Sequence, residues 1–368
     1  MRFRPTSALI DLDAIASNVR VLRPPSAELM AVVKADAYGH GATQVARASL
    51  GAGATWLGVA LVEEGLALRE AGIDAPILVL SEPPRGAEKD AVVAKLAAAV
   101  YTRDGVAALA EASGATGRPA AVHLKIDTGM HRVGAAPGDV TDLARQASEA
   151  GLLLEGVWTH FAKADEPSDP ATEHQLRVFS DCLQALRASG IEPRYVHAAN
   201  SAGTIAHPSA RYDLVRVGIA MYGLAPSDEI GRGGLMPAMS LRSRVSFVKR
   251  VRAGESLSYG HRYSLRREST IATVPVGYAD GYPRAASGRA QALIRGKPYP
   301  VAGTVTMDQI LVDLGDDPVE TGDEVVLFGR QGDAEITADE LAAWAGTIGY
   351  EIVCGIGPRV PRDHRGGP

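Results

Sequence analysis

The sequence predicts an α/β barrel plus an all-β domain: a (β/α)8 barrel of the TIM type first, then a mostly β domain. Three observations lead there. Eight short β-rich runs alternate with amphipathic helices as far as residue 217, and such alternation means parallel strands joined by crossover helices. Polar residues gather at the C-terminal ends of five of those runs, where barrels carry their active sites. Beyond about Ala225 regular helices stop and β-type runs follow. No GxGxxG follows any strand, which argues against an open doubly wound sheet.

In order, a short apolar run, Ala8-Leu-Ile10, precedes a helix with apolar residues at Ile15, Val19 and Leu22. Strands are expected over 29–34, 56–60, 77–80, 97–101, 122–126, 153–158, 195–198 and 213–217, with helices such as 42–50, 63–71, 106–112, 140–150 and 173–189 between them. Residues 226–237, rich in Gly, Pro and charge, read as a linker. After it come β-type runs at 240–251, 270–276, 300–302, 310–314 and 325–329, and one helix at 337–344. Residues 364–368 are expected to fray. The expected domains are 1–232 and 233–368, with residues 1–10 joining the second.

Composition narrows the function. A length of 368 residues suits two domains, and 46% hydrophobic with 22% charged residues suits large cores. A net charge of −5 without a basic patch argues against nucleic acid. No apolar run is long enough to span a bilayer. The start, Met1-Arg-Phe-Arg-Pro5, lacks the apolar stretch of a secretory signal. Cys182 and Cys354 form no metal-type spacing; a cytoplasmic protein with no metal is expected. There is no HExxH, no GxSxG and no P-loop.

The candidate site begins at Ala31-Val-Val-Lys-Ala-Asp-Ala-Tyr-Gly-His-Gly41. Lys34 at the mouth of a strand, Tyr38 four residues on and two glycines suit a phosphate-bearing aldehyde. The amine forms a Schiff base, while hydroxyl and backbone N–H groups hold phosphate. Lys125 and Asp127 end the fifth run, His160 follows the sixth, His197, Asn200 and Ser201 follow the seventh, and Arg216 closes the eighth. Any one of them read alone is equally well a core histidine, a cap or a surface cation. Their arrival at one end of the barrel favours a site. The loops after strands seven and eight are the usual phosphate site of this fold, which points to Ser201 and the Gly218 and Ile219 amides.

With Lys125-Ile-Asp-Thr-Gly-Met-His-Arg-Val-Gly134, Thr159-His-Phe161, His197-Ala-Ala-Asn-Ser-Ala202, Arg216-Val-Gly-Ile219, Ser258-Tyr-Gly260, Gly277-Tyr-Ala-Asp-Gly281, Met307-Asp-Gln309, Gly349-Tyr-Glu351 and Pro358-Arg-Val-Pro-Arg362, the chain resembles bacterial alanine racemases over essentially its whole length. These are fold-type III enzymes dependent on pyridoxal 5′-phosphate (PLP). The resemblance implies interconversion of L- and D-alanine, supplying D-alanine for peptidoglycan. Lys34 would hold PLP and act as one base. Tyr259, from the partner subunit of a head-to-tail homodimer, would be the other. Arg216 would face the pyridine nitrogen, with His197 behind it and His160 against the ring. Tyr38, Ser201, Gly218, Ile219 and Tyr350 would bind phosphate, and Asn200 belongs to the same group. Arg132 and the Met307 amide, the latter also across the interface, would meet the substrate carboxylate. Lys125, carbamylated in many members, would orient Arg132, with Tyr278 and Asp308 in support; Tyr278 and Tyr350 resemble residues of the substrate corridor.

The chemistry agrees with those implied roles. Two bases on opposite faces return the Cα proton without turning the substrate. A tyrosine with a reference pKa of about 10 needs roughly 4 kcal/mol of preferential phenolate stabilisation to act near neutrality, which nearby cations supply. Arginine at the ring nitrogen donates no full proton, so the ring stays a weaker electron sink. That favours racemisation over amino transfer and disfavours a decarboxylase on the same architecture. A broader-specificity PLP racemase and a non-catalytic PLP-binding protein are the alternatives, and Tyr259 with the second domain argues against the latter. One departure stands out: the family often has Gly-Arg-x-x-Met-Asp near the corridor, where this chain has Gly303-Thr-Val-Thr-Met-Asp308.

Overall fold

A computed structural model of the chain describes residues 3–367. Met1, Arg2 and Pro368, which the expected domain limits and frayed end include, lie outside the described residues. The chain divides into two compact units. One is Ala14–Ala37 with Ala42–Met236; the other is the chain up to Asp13, Tyr38–Gly41 and Pro237–Gly367.

The chain opens with β1 (Ser7–Asp11) and α1 (Leu12–Leu22). The barrel strands follow: β2 (Glu28–Val32), β3 (Trp56–Val59), β4 (Ile77–Val79), β5 (Ala97–Val100), β6 (Ala121–Lys125), β7 (Leu153–Trp158), β8 (Tyr195–His197) and β9 (Leu214–Val217). Between them run α2 (Lys34–Gly39), α3 (Ala42–Gly51), α4 (Val62–Glu70), α5 (Glu88–Val93), α6 (Arg103–Thr116), α7 (Val140–Glu149), α8 (Ala171–Ala188) and α9 (Ser201–Ala206).

The eight strands are parallel, in the order β8-β7-β6-β5-β4-β3-β2-β9. The ends of that path close through backbone bonds just outside the ladders: Asp213 N–H to Val196 O (3.0 Å) and Arg216 N–H to Ala199 O (2.9 Å). The Asp213 carboxylate also accepts from Val196 N–H at 2.8 Å. Strands covered on both faces read as continuous apolar runs, which is why they stand out in the sequence. Met30, Trp56, Leu78, Ala97, Tyr195 and Leu214 pack as one interior cluster. One helix, α6, starts and stops on ordinary signals. Thr102 caps α6 by accepting from Gly105 N–H (2.9 Å), and Gly117 ends it in a left-handed conformation.

The first barrel strand, β2, stops at Val32, short of the expected Lys34, because the backbone changes hand. Ala35, Asp36, Ala37 and Tyr38 all have φ of 52–54°, so α2 is a left-handed turn. This conformation costs roughly 1–2 kcal/mol for each such residue, and side-chain anchors hold it. The Glu64 carboxylate accepts from Ala35 N–H (2.6 Å) and Ala60 N–H (2.8 Å), and Asp36 Oδ1 from Ala42 N–H (2.8 Å).

The other unit contains β10 (Met239–Arg244), β11 (Phe247–Val251), β12 (Ser256–Leu257), β13 (Tyr263–Ser264), β14 (Ser269–Val274), β15 (Gln291–Ile294), β16 (Lys297–Pro300), β17 (Ile310–Gly315), β18 (Glu324–Gln331), β19 (Ala334–Ile336), α10 (Ala338–Ala345), α11 (Gly349–Cys354) and β20 (Arg362–Arg365). One sheet runs β16-β15-β18-β10-β1-β20 with β19 on β18, a second β11-β14-β17, and a ribbon pairs β12 with β13. Two expectations change. The run 240–251 splits into two strands of different sheets at Val245-Ser246. Residues 364–367 are not frayed: His364 and Arg365 lie in β20, parallel to β1, and Gly367 N–H reaches Asp13 Oδ1 at 3.0 Å. Among the described residues no helix is long and apolar enough to cross a membrane, and no group of three His, Cys, Asp or Glu side chains could hold a metal.

Candidate active site

In the barrel unit the expected polar residues cluster at the C-terminal ends of the strands and in the loops that follow them. Arg216, on β9 and 3% exposed, is the hub. Its guanidinium donates to Thr159 O (2.8 Å), Ala198 O (2.9 Å), His197 Nδ1 (3.1 Å) and His160 Nδ1 (3.2 Å). Burial lowers its pKa to about 9, so it stays charged at neutral pH.

These contacts fix the histidine tautomers. Arginine only donates, so His197 Nδ1 must accept and its proton sits on Nε2. Nε2 lies 2.8 Å from His123 Nδ1, which therefore accepts in turn. The His123 proton is then on its own Nε2, 3.7 Å from Glu155 Oε2. That separation is electrostatic rather than a hydrogen bond. Burial, with the Arg216 charge, holds both His197 and His160 well below the ordinary histidine range. The polar chain thus runs from Arg216 through two neutral imidazoles toward a carboxylate.

Trp158, at the end of β7, is the platform. His197 stacks on it with ring centroids 5.5 Å apart. Lys125 Nζ and the Arg216 guanidinium lie 4.4 and 4.7 Å from its ring centre, within cation–π range. Burial, then the charges of Arg132 and Arg216, lowers the Lys125 ammonium to about 8, and Lys34 adds to the effect. Asp127 offsets them in part. Its Oδ1 accepts from Gly129, Met130 and His131 N–H, each at 3.0 Å, and so shapes the loop that carries the exposed Arg132.

At the expected phosphate end, Ser201 Oγ accepts from Gly218 N–H (2.9 Å) and Ala220 N–H (3.3 Å). Ile219 is buried beside them. Asn200 Oδ1 is engaged as the cap of α9, accepting from Gly203 N–H at 2.8 Å.

The other unit holds the rest of the expected residues. Tyr38 and Tyr350 lie with ring centroids 6.4 Å apart, and burial pushes the Tyr38 phenol up. Tyr259 is 75% exposed, Met307 52% and Tyr278 42%. Tyr278 N–H donates to Thr306 O and Ala279 N–H to Met307 O, both at 3.0 Å. Asp308 accepts from Arg359 at 2.8 Å. Arg359 also sits 3.5 Å from the fully buried Asp280, which Arg4 grips with both guanidinium arms. Burial raises the Asp280 carboxyl, but the Arg4 bonds and the Gly277 amide outweigh it and hold the carboxyl below its usual range. The departure residue, Thr304, is buried, and its hydroxyl donates to Tyr259 O at 2.9 Å.

Sequence reading missed several supports. His123 was legible in principle, because strand alternation puts it on the same face as Lys125. Trp158 stood at a strand end in a chain with few aromatics. Gln175 could not be found from sequence. From α8 it joins two loops, donating to Thr128 Oγ1 and His160 O and accepting from Ala162 N–H.

Comparison with known proteins identifies the family. The family described as alanine racemase, N-terminal domain, matches residues 10–226, and alanine racemase, C-terminal domain, matches 238–364. Alanine racemase of Symbiobacterium thermophilum is 52% identical, covering 99% of this chain and 98% of its own length. The crystal structure of alanine racemase from D-cycloserine-producing Streptomyces lavendulae superposes with a TM-score of 0.97 at 44% identity, covering 100% of this chain and 99% of that one. That of Bacillus anthracis with bound L-Ala-P gives 0.92 at 40% identity, covering 100% and 96%. Both halves are matched in order and relatives cover nearly the full length, so the chain belongs to the alanine racemase family.

Proposed function

We propose that this protein is a PLP-dependent alanine racemase in which Lys34 and Tyr259 move the Cα proton on opposite faces of the substrate. The observation that carries the reading is the gathering of Lys34, Lys125, Arg132 and Arg216 at one end of the barrel, close enough that each lowers the His160 pKa. A cationic cluster in which Lys125 and Arg216 are buried, and which Asp127 offsets in part, calls for anions. A phosphorylated phenolic aldehyde and an amino-acid carboxylate supply them, so the residues present fit the cofactor.

Lys34 would hold PLP, with Tyr38, Ser201, Gly218, Ile219 and Tyr350 on its phosphate, Asn200 among the same residues and His160 against its ring. When bound, the cofactor supplies the electron sink that makes the Cα proton removable. Arg216 would face the ring nitrogen. With a pKa of about 9 it keeps its proton at neutral pH, and the neutral His197 behind it takes none. That limits the sink and favours return of the proton to Cα. Arg132 and the Met307 amide would orient the carboxylate. A carbamate on Lys125 would place an anion between Arg132 and Arg216; a pKa of about 8 leaves a neutral amine fraction able to take up CO2.

Tyr259 is too exposed in its own unit to be shielded from water there. A head-to-tail homodimer that brings Tyr259 and Met307 to the partner's barrel, with Tyr278 and Asp308 behind them, gives that shielding. A cytoplasmic enzyme making D-alanine for peptidoglycan is the setting that fits two cysteines in no disulfide.

Tyr259→Phe tests the two-base reading. PLP absorbance is retained, racemisation collapses, and one alanine enantiomer still exchanges its Cα proton with solvent deuterium through Lys34. Undiminished racemisation would remove Tyr259 from the mechanism.

A further inference from the structure

The geometry points to Thr304 as a positioning residue for Tyr259, a role that rests on the reading of Tyr259 as a base. The segment carrying Tyr259 is backbone-strained: Ser258, Gly260 and His261 have φ of 61°, 75° and 48°. Non-glycine residues in that region persist only where the surroundings hold them. Two reciprocal hydrogen bonds do so here. Thr304 Oγ1 donates to Tyr259 O at 2.9 Å, and Ser258 Oγ donates to Thr304 O at 2.8 Å. The two strands of chain touch directly. A Cβ on Gly303 would lie 2.8 Å from Ser258 Cβ and 3.0 Å from Leu257 O, so residue 303 has to be glycine for Thr304 to reach.

The clamp acts on the backbone of a residue whose side chain is 75% exposed. Within its own unit, then, the direction of the phenol is set by its backbone. Thr304 supplies a short buried hydroxyl whose one proton is committed to Tyr259 O. Thr304 therefore sets where the phenol points without touching substrate.

The test uses the PLP-loaded enzyme and initial rates of deuterium uptake at Cα from solvent, measured separately on pure L- and D-alanine. Thr304→Val keeps shape and removes the donor. The expected result is a fall of about 10- to 100-fold for the enantiomer deprotonated by Tyr259, with the other unchanged. Thr304→Ser, which keeps the donor, retains the parent rate for both enantiomers. Equal losses for both enantiomers, or no loss, would overturn the proposal. Should Thr304→Val fail to fold, Ser258→Ala removes the other half of the clamp and must show the same one-sided loss; a two-sided loss or none overturns it equally. Tyr259→Phe in the same assay separates the two readings. Full racemisation there sinks the role of Tyr259, whereas a symmetric Thr304→Val effect beside an inactive Tyr259→Phe sinks only the clamp.

Discussion

Gly156→Ala is a one-methyl change whose effect follows from geometry. Gly156 lies on β7, paired with His123 on β6. A Cβ there would fall 2.3 Å from His123 Nδ1 and 2.6 Å from Cε1. The ring has nowhere to go. Trp56, Tyr195 and His197 surround it with ring centroids 5.3, 6.4 and 5.1 Å away, and all are buried. Forcing it aside costs about 1–3 kcal/mol of overpacking. It also breaks the 2.8 Å bond to His197, and the orphaned buried Nε2–H adds about 1–3 kcal/mol. Urea unfolding should therefore show a loss of about 2–6 kcal/mol, and kcat should fall as Arg216 loses its fixed partner. A double-mutant cycle isolates the cause. In a His123→Ala background the new methyl enters vacated space, so Gly156→Ala should cost almost nothing there. Additive losses, or an unperturbed single mutant, would refute the claim that Gly156 exists to admit the imidazole.

Two further outcomes follow from the charges. Folded Lys125 titrates near 8 against 10.5 for the ordinary ammonium. Between those values the unfolded chain holds a proton the folded chain lacks, so apoprotein stability in CO2-free buffer rises with pH there and carries the full penalty below 8. Lys125→Met should flatten that slope and stabilise the apoprotein at pH 7 by about 1–3 kcal/mol, while alanine turnover collapses; an unchanged pH profile of unfolding would count against it. Asp280→Asn removes the anion shared by Arg4 and Arg359, costing about 1.5–3 kcal/mol in denaturant unfolding and raising KM as the Asp308–Met307 turn loosens. Unaltered KM would show that the network is structural only.

The barrel was legible because its strands are apolar runs with polar ends; Lys34, Lys125, His160, His197 and Arg216 stand out against that background. What escaped has physical reasons. The left-handed turn after β2 is written in Ala-Asp-Ala-Tyr, of which only Asp readily takes that hand, and it depends on anchors such as the distant Glu64. The strand at 362–365 is Arg-Asp-His-Arg, an edge strand without apolar alternation, so it reads as a loose end. His123 looks like one polar residue in a strand until the tertiary neighbours Gly156, Trp56 and His197 define its slot. Thr304 was visible as a departure, but its partner, a backbone carbonyl 45 positions away, has no sequence signature.

The account rests on alanine racemisation by this chain. The most direct measurement is loss of optical activity by the purified, PLP-loaded protein on L-alanine, with L-serine, L-lysine and L-arginine in parallel. Fast loss with alanine and little with the others is the predicted result. No loss with alanine, with or without turnover of another amino acid, would contradict it.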